Sequence, residues 1–228
     1  MKNLIKSPIA CFSIFTLSSA LASAAGILID LGHDTQTTTG NWNNFTAATG
    51  GNPATLTDMI DSDGNTTTVD LSFAESFATA AGIAGPGANW DGTYPATVSA
   101  LPGSALRDGM FVQQSGTATL TFSDLNPALT YNWTFYGARG NNGGGTKYEL
   151  TGANSGTATI SNIFENSNEV ATLAGISPTV GGVITLKVTQ VTGTDQASLN
   201  FIQVDAIPEP SVIGLAGLGL LGILRRRR

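Results

Sequence analysis

Composition and charge limit the partners of this chain. The sequence has 228 residues, a formal net charge of −6, and charged residues at only 11% of its positions. The two ends hold six of the ten basic residues, so residues 25–206 carry four basic and fifteen acidic side chains, a net charge of −11. Such a surface repels phosphate backbones, which argues against nucleic acid as a partner.

Residues 1–24 have the pattern of a secretory signal peptide. Lys2 and Lys6 precede an apolar stretch at 9–21, and a small-residue cleavage pattern ends at Ala24. The stretch is too short and too polar for a membrane span. We therefore expect export through the Sec machinery, with signal peptidase cutting after Ala24.

The remaining body, residues 25–206, is predicted to be one all-β domain. Charged residues are scarce and Thr, Ser, Gly and Asn are abundant, which suits exposed strand positions better than helix surfaces. Apolar and polar residues alternate with period two at 69–73, 118–122 and 131–135. Six further strands are predicted at 27–31, 147–151, 157–163, 169–173, 183–189 and 198–206.

The spacing of these strands predicts the architecture. Short strands that recur about every ten residues, with Gly, Asn and Pro between them, are typical of an antiparallel β-sandwich or jelly roll. Two segments depart from this pattern. Residues 75–84 are predicted to hold a short helix, and residues 85–102 a long irregular loop.

Large aromatic rings and polar side chains lie together in the turn-rich segments. A tryptophan in a turn exposes apolar surface unless it packs or binds a ligand. Sugars present C–H faces that stack on aromatic rings, and hydroxyls that pair with amide, carboxylate and guanidinium groups. A glycan site is therefore predicted from Trp42, Asn43, Asn44, Trp90, Asp91, Tyr94, Arg107, Asp108 and Arg139.

Structural roles are the alternative for several of these residues. Trp42 and Trp90 can plug the ends of the sandwich, and Arg139 can form an ion pair with Asp108 instead of binding a ligand. A third tryptophan, Trp133, lies within a regular alternating stretch and is predicted to belong to the core.

No pattern typical of an enzyme is present. His33 is the only histidine, and no G-x-S-x-G nucleophile motif accompanies it, so it is predicted to be a surface residue at a strand end. None of the carboxylates sits in a recognisable frame for glycoside hydrolysis. We therefore expect a non-enzymatic protein, and a small secreted carbohydrate-active enzyme is the alternative.

No cofactor is predicted. Asp61, Asp63 and Asn65 alternate like the start of a calcium loop, but Thr66 and Ser72 stand where an EF-hand needs glycine and glutamate. This stretch is therefore predicted to be a polar β-turn. Structural calcium held by other carboxylates and carbonyls is the alternative.

The C-terminus joins a short acidic motif, an apolar run and a basic cluster. Pro208, Glu209 and Pro210 precede fourteen uncharged residues at 211–224. As a helix this run would extend about 21 Å, less than a hydrocarbon core of about 30 Å. The cluster that follows consists of Arg225, Arg226, Arg227 and Arg228. Its charge favours the cytoplasmic side of a membrane.

These three features, in this order, resemble the PEP-CTERM sorting signal over residues 207–228. The resemblance implies an exosortase of a Gram-negative bacterium as partner, which recognises the proline-glutamate-proline motif and cuts near it. It also implies transient membrane insertion through a short transmembrane helix, an inner-membrane intermediate, and delivery to the cell surface or extracellular matrix. An ordinary C-terminal tail anchor is the alternative.

A second resemblance covers most of the body. The stretches ILIDLG, GNWNNF, TYPATV, LRDGMF, LTFSDLNPALTYNWTFYGARG, YELTG and GGVITLKV are similar, in this order, to galactose-binding-like jelly-roll domains of exported bacterial proteins. This resemblance implies a protein that associates with extracellular polysaccharide or the surface matrix. A structural matrix protein with no ligand is the alternative.

Overall fold

Short β-strands make up nearly all the regular structure of the body. The computed structural model describes residues 25–48, 53–73, 81–83, 90–113, 115–140, 143–191 and 196–207. The signal peptide predicted at 1–24 and the sorting tail from Pro208 onwards lie outside these residues. Within the described ranges the chain is all-β, as predicted, and contains no helix with the length and apolar character to cross a membrane.

The elements follow one another in a simple order. The strands are β1 Ile27–His33, β2 Asn43–Ala47, β3 Asp70–Phe73, β4 Ala81–Ile83, β5 Met110–Val112, β6 Thr117–Ser123, β7 Thr130–Tyr136, β8 Thr146–Thr151, β9 Ser155–Ile160, β10 Ala171–Ile176, β11 Ile184–Gln190, β12 Ala197–Leu199 and β13 Phe201–Ile207. A one-turn helix, α1, spans Ser104–Arg107 between β4 and β5.

Two five-stranded sheets carry the core. The first sheet has the strand order β10-β7-β13-β1-β2, and the second has the order β3-β6-β11-β8-β9. All strand pairs of the second sheet are antiparallel. In the first sheet β1 pairs in parallel with β2, so the predicted antiparallel arrangement is interrupted at this edge. A small third sheet joins β12, β5 and β4.

Alternation along the strands places one face of each sheet in the core. Every second side chain of β6 is buried, because successive strand residues point to opposite faces. Phe122 of the second sheet meets Trp133 of the first, with ring centroids 4.7 Å apart. Phe135 of the first sheet stacks face to face on Tyr148 of the second, with ring centroids 4.8 Å apart. The two sheets therefore pack face to face, and the prediction that Trp133 belongs to the core is confirmed.

Three short strands and α1 lie where the sequence predicts no such element. β2 occupies a segment predicted to be turn-rich, and its pairing with β1 buries Phe45. The short helix predicted at 75–84 is wrong at 81–83, which form β4, and its other residues lie outside the described ranges. A strand of three residues is too short to show alternation in its sequence, so its formation depends on pairing with neighbouring strands. Residues 90–102 form part of the predicted irregular loop.

The strand predicted at 198–206 divides at Asn200. Before this residue β12 pairs with β5, and after it β13 pairs with β7 and β1. The Asn200 N–H donates to the Tyr136 carbonyl (2.8 Å), and the Asn200 carbonyl accepts from the Leu31 N–H (2.9 Å). At this point the chain passes from the third sheet into the first.

The side chain of Asn200 is fully buried and all of its hydrogen-bonding groups are used. Its Nδ2 donates to the carbonyls of Leu106 (3.0 Å) and Ala138 (3.2 Å). Its Oδ1 accepts from the Ala138 N–H (2.9 Å) and from the Ser198 hydroxyl (2.9 Å). One amide group therefore joins β12, the chain beyond β7, and α1.

Replacing Asn200 with alanine is expected to destabilise the protein. The change leaves the Ala138 N–H and the Leu106 carbonyl buried without partners, at a cost of about 1–3 kcal/mol for each group. We expect urea denaturation to show a loss of at least about 2 kcal/mol in the free energy of unfolding.

The control for this change is Asn168→Ala, at an exposed asparagine. It is expected to alter the free energy of unfolding by less than about 0.5 kcal/mol. A loss at Asn200 no larger than the loss at Asn168 would contradict the structural role of the buried amide.

Candidate functional site

Residues 90–108, which we call the covering segment, lie over the outer face of the first sheet. Tyr136 of β7 and Phe201 of β13 point away from the core, opposite to their strand neighbours. They form a second buried apolar cluster with Val98 and Leu106 of the covering segment. Apolar burial therefore holds this segment in place, although most of it has no regular structure.

Three aromatic residues predicted for the glycan site pack around this cluster. Trp42, Trp90 and Tyr94, which we call the aromatic site, are all half-buried against it. The Trp42 ring lies 5.6 Å from the Phe201 ring, centroid to centroid, and the Tyr94 ring meets Tyr136 edge-on at 6.1 Å. The fold thus gathers residues from distant parts of the sequence, and each ring remains partly exposed to solvent.

Backbone contacts and a glycine fix the position of Trp90. Its N–H donates to the Arg107 carbonyl (3.0 Å), and its carbonyl accepts from the Tyr94 hydroxyl (3.3 Å). The indole Nε1 donates to the Thr93 carbonyl (3.4 Å). The ring folds so closely over Gly92 that a Cβ there would overlap it, which requires glycine at this position. The orientation of the ring is therefore set within the segment itself.

The two predicted asparagines face the backbone. Asn43 Nδ2 donates to the carbonyls of Leu28 (3.0 Å) and Ile60 (2.8 Å), while its Oδ1 accepts from the Ile60 N–H (2.9 Å). The side chain of Asn44 binds both backbone groups of Thr38. Its Oδ1 accepts from the Thr38 N–H (2.7 Å), and its Nδ2 donates to the Thr38 carbonyl (3.0 Å). These amides position the loop that carries Trp42.

The charged residues of the predicted set differ in exposure. Asp91 is exposed, whereas Arg107 is half-buried and its Nε donates to Gln36 Oε1 (3.2 Å). Arg139 is buried with its guanidinium 4.2 Å from the centroid of the Phe111 ring. Burial lowers the pKa of Arg139 to about 10. Arg139 therefore packs on Phe111 of β5, whereas Trp42, Trp90 and Tyr94 pack on the second apolar cluster.

The alternative ion pair between Arg139 and Asp108 is wrong. Within the described residues, the ion pairs join His33 to Asp34 (3.0 Å) and Lys147 to Glu149 (3.2 Å). Asp108 instead accepts a hydrogen bond from the backbone N–H of His33 (2.6 Å). The contact of Arg139 with an aromatic ring is a cation–π interaction.

Asp30 and Asp108 form a pair of buried carboxylates at the end of the covering segment. Their exposed fractions are 0% and 1%. Asp30 Oδ2 accepts from the Thr38 N–H (2.9 Å), and Thr38 donates from its hydroxyl to Ser104 of α1 (2.8 Å). Oδ1 of each carboxylate has no hydrogen-bond partner in the described part of the chain. Each carboxylate therefore has one oxygen that is removed from water without a hydrogen bond in return, which costs free energy.

Burial changes the acid–base behaviour of this pair. Burial, and to a smaller extent the charge of Asp108, raise the pKa of Asp30 to about 7. Burial also raises the pKa of Asp108 to about 6, although the hydrogen bond from the His33 N–H lowers it. Like charges at short range disfavour simultaneous ionisation. The pair therefore retains a proton at pH values where exposed carboxylates are ionised.

The sequence predicts Asp108 but not Asp30 as a site residue. Asp30 stands in the alternating stretch ILIDLG, where an outward-facing aspartate is an ordinary exposed strand residue. The covering segment, distant in sequence, buries it. His33 also differs from the prediction, because its side chain is mostly buried, with Nδ1 2.9 Å from Thr35 Oγ1.

The described part of the chain holds no group of three or more metal-binding side chains around one point. The predicted polar β-turn is confirmed, since the Gly64 N–H donates to the Asp61 carbonyl (2.9 Å). Asp61 Oδ1 accepts from the N–H groups of Asp63 (3.0 Å) and Asn65 (2.8 Å). The bond from Asn65 lowers the pKa of Asp61. This carboxylate therefore caps its own turn.

Residues 206–228 match the family model of the PEP-CTERM protein-sorting motif. The match covers the proline-glutamate-proline motif, the apolar run and the four arginines, which confirms the first resemblance. The motif implies an exported protein that exosortase processes and that is sorted to the cell surface. No curated protein matches the chain.

Three solved structures are similar in fold over part of the chain. TmCBM61 in complex with β-1,4-galactotriose is 11% identical over 60% of this chain and 88% of that chain, with a TM-score of 0.33. The CBM22-1–GH10 modules of Clostridium thermocellum xylanase 10B, complexed with xylohexaose, are 14% identical over 46% and 22%, with a TM-score of 0.32. The ANXUR1 extracellular domain from Arabidopsis thaliana is 14% identical over 63% and 53%, with a TM-score of 0.35.

Replacing Asp30 with asparagine is expected to make stability less dependent on pH. The folded protein holds a proton on Asp30 up to about pH 7, whereas the unfolded chain loses it near its ordinary pKa of about 3.9. The resulting stabilisation is complete below about pH 4 and is lost as the pH rises through about 7. The Tm of the wild type should therefore fall more steeply over this range than the Tm of Asp30→Asn.

Asp91→Asn is the control, because Asp91 is exposed. Thermal unfolding of this variant should follow the wild-type pH dependence. Identical slopes for the wild type and Asp30→Asn would contradict the raised pKa of the buried carboxylate.

Proposed function

We propose that the chain is an exported jelly-roll protein that binds extracellular polysaccharide at the cell surface and catalyses no reaction. The observation that carries this proposal is the gathering of Trp42, Trp90 and Tyr94 on one face of the first sheet. Each ring packs on the apolar cluster with part of its surface and leaves the rest exposed. A sugar can stack its C–H face on an aromatic surface that is held rigid from behind.

Polar groups beside the aromatic site supply partners for sugar hydroxyls. Asn41 precedes Trp42, and Asp91 and Thr93 lie between Trp90 and Tyr94; all three polar residues are exposed. A few polar groups around an apolar surface are typical of sites that orient a small ligand. This arrangement favours binding over a purely structural use of the rings.

The ligand that we propose is a neutral polysaccharide. The body carries a net charge of −11, with four basic side chains in total. A glycan rich in carboxylate or sulfate groups would be repelled by this field. Stacking and hydrogen bonding require no charge on the sugar.

The geometry gives less support to a carbohydrate-active enzyme. Asp30 and Asp108 have pKa values raised towards neutrality, as a general acid requires. Both are buried, Asp30 beneath the covering segment and Asp108 as its last residue, whereas an acid must lie within hydrogen-bonding distance of the group that it protonates. These carboxylates therefore fit a structural role.

We assign the tail a transient role in sorting. The apolar run at 211–224 would enter the inner membrane with Arg225–Arg228 on the cytoplasmic side, while exosortase cuts near Glu209. A run that underspans the bilayer is a weak anchor. The mature protein would then remain at the cell surface or in the extracellular matrix.

Substitution at the aromatic site is expected to weaken glycan binding without unfolding the protein. Trp42→Ala and Trp90→Ala should each weaken binding to a neutral exopolysaccharide of the host by about tenfold, or about 1.4 kcal/mol. Affinity electrophoresis measures the effect, and circular dichroism checks the fold.

The control is Phe164→Ala, which removes an exposed ring outside the covering segment. It should leave binding unchanged. If the wild-type protein binds no neutral glycan, or if both tryptophan variants bind as tightly as the wild type, the proposed function is wrong. A folded protein without any ligand would point to the structural matrix role.

The sorting step predicts two truncations of the chain. Intact-mass analysis of protein recovered from the native host should show loss of residues 1–24 and of the basic cluster at 225–228. Glu209→Ala should block the second truncation and leave the first unchanged. Mature wild-type protein that retains all four arginines would contradict exosortase processing.

A further inference from the structure

We infer that the end of the sandwich from which the tail leaves is itself a docking surface for the enzyme that cuts at the sorting motif, and that the matching enzyme surface is basic. We call this the tail-side end. The inference rests on the proposed processing of the tail, and it adds a recognition surface on the folded body to the motif.

Chain length forces the enzyme close to the folded body. The sorting motif begins at Ala206, yet Ala206 and Ile207 are still paired in β13, opposite Tyr131 and Thr130 of β7. An extended residue spans at most about 3.6 Å, so Glu209 lies within about 7 Å of the last paired residue. An active-site cleft that receives the motif must therefore contact the end of the sandwich.

The tail-side end has a recessed surface beside the exit of the chain. A hollow of about 230 Å³ is lined by Ala25, Ala206, Asp124 and Asn126, among others. A wider and shallower hollow adjoins it, shares Asp124 and Asn126, and reaches the turn at 180–182. The new N-terminus at Ala25, the tail and both hollows thus lie together.

Apolar side chains are exposed at this end. Val180 is 96% exposed, at the tip of a turn closed by a hydrogen bond from the Gly182 N–H to the Thr179 carbonyl (2.8 Å). Ile207 is 37% exposed where the tail begins. Among the described residues these are two of the three exposed large hydrophobic side chains. Packing against an apolar part of a partner would remove these two side chains from water, which favours association.

The charged side chains that the structure describes at the tail-side end are acidic. Six carboxylates lie on or beside it, namely Asp58, Asp61, Asp63, Asp70, Asp124 and Asp205. The four basic residues of the body lie elsewhere. Arg107 and Arg139 lie near the opposite end, and Lys147 and Lys187 lie within the second sheet. This field repels anionic lipid headgroups and attracts a basic protein surface.

Charge variants of the full-length chain test the inference. Asp63→Lys combined with Asp124→Asn changes the charge of this end by three units. Asparagine suits position 124 because Asp124 has a φ of +58°, which asparagine tolerates. In the native host, pulse-chase labelling should show conversion of precursor to mature protein slowed by about tenfold. Val180→Ser should slow it further.

The matched control combines Glu149→Lys with Asp34→Asn. It makes the same change in net charge on the outer face of the second sheet and at the opposite end. Its rate of conversion should equal that of the wild type. A charge variant of the tail-side end that matures at the wild-type rate would overturn the inference.

A linker insertion separates contact with the enzyme from other effects. Six Gly and Ser residues placed between Ile207 and Pro208 allow the cleft to reach the motif without touching the sandwich. In this background the tail-side variants should mature as fast as the inserted wild type. A defect that persists would indicate altered export or folding and would overturn the inference.

Two further outcomes identify which idea has failed. If the wild type is never converted, or if Glu209→Ala is converted normally, the proposed processing itself is wrong. If the tail-side variants bind phosphatidylglycerol vesicles more tightly than the control does, in the absence of enzyme, attraction of the variants to lipid explains the defect and the docking surface is rejected.

Discussion

The buried amide of Asn200 is the interaction on which the rest of the molecule depends. It stands where the chain passes between two sheets, and its four hydrogen bonds tie β12 to α1 and to the chain beyond β7. The bond to Leu106 acts together with apolar packing, the bonds around Thr38 and the bond from the His33 N–H to Asp108 in holding the covering segment to the sheet. The aromatic site therefore depends on a residue that touches none of its rings.

The sequence predicts the long strands because their alternation is visible within a few residues. β6 and β7 bury every second side chain, and both appear at the predicted positions. β2, β4 and β5 could not be predicted, because each is short and is stabilised by pairing with another strand, which its own residues do not reveal. The division at Asn200 is hidden for a similar reason, since its cause lies in partners such as Ala138.

The candidate site was predictable by residue type but not by role. Trp42, Trp90 and Tyr94 all pack against one apolar cluster, yet Asn43 turns inward to hold the backbone. Asp30 has no signal in the sequence, because its burial is produced by the covering segment. Where a side chain points, and which segment covers it, are tertiary properties that composition and period do not contain.

The antiparallel pairing of β1 and β13 places the start of the first strand and the end of the last strand at the same end of the molecule. Ile27 and Val204 are register partners, so the two severed ends of the mature chain would emerge side by side. Removal of both ends, as proposed above, would leave every strand pair of the two sheets intact. β1 runs away from this end, so its last residue, His33, lies at the opposite margin of the first sheet from the exit of the tail.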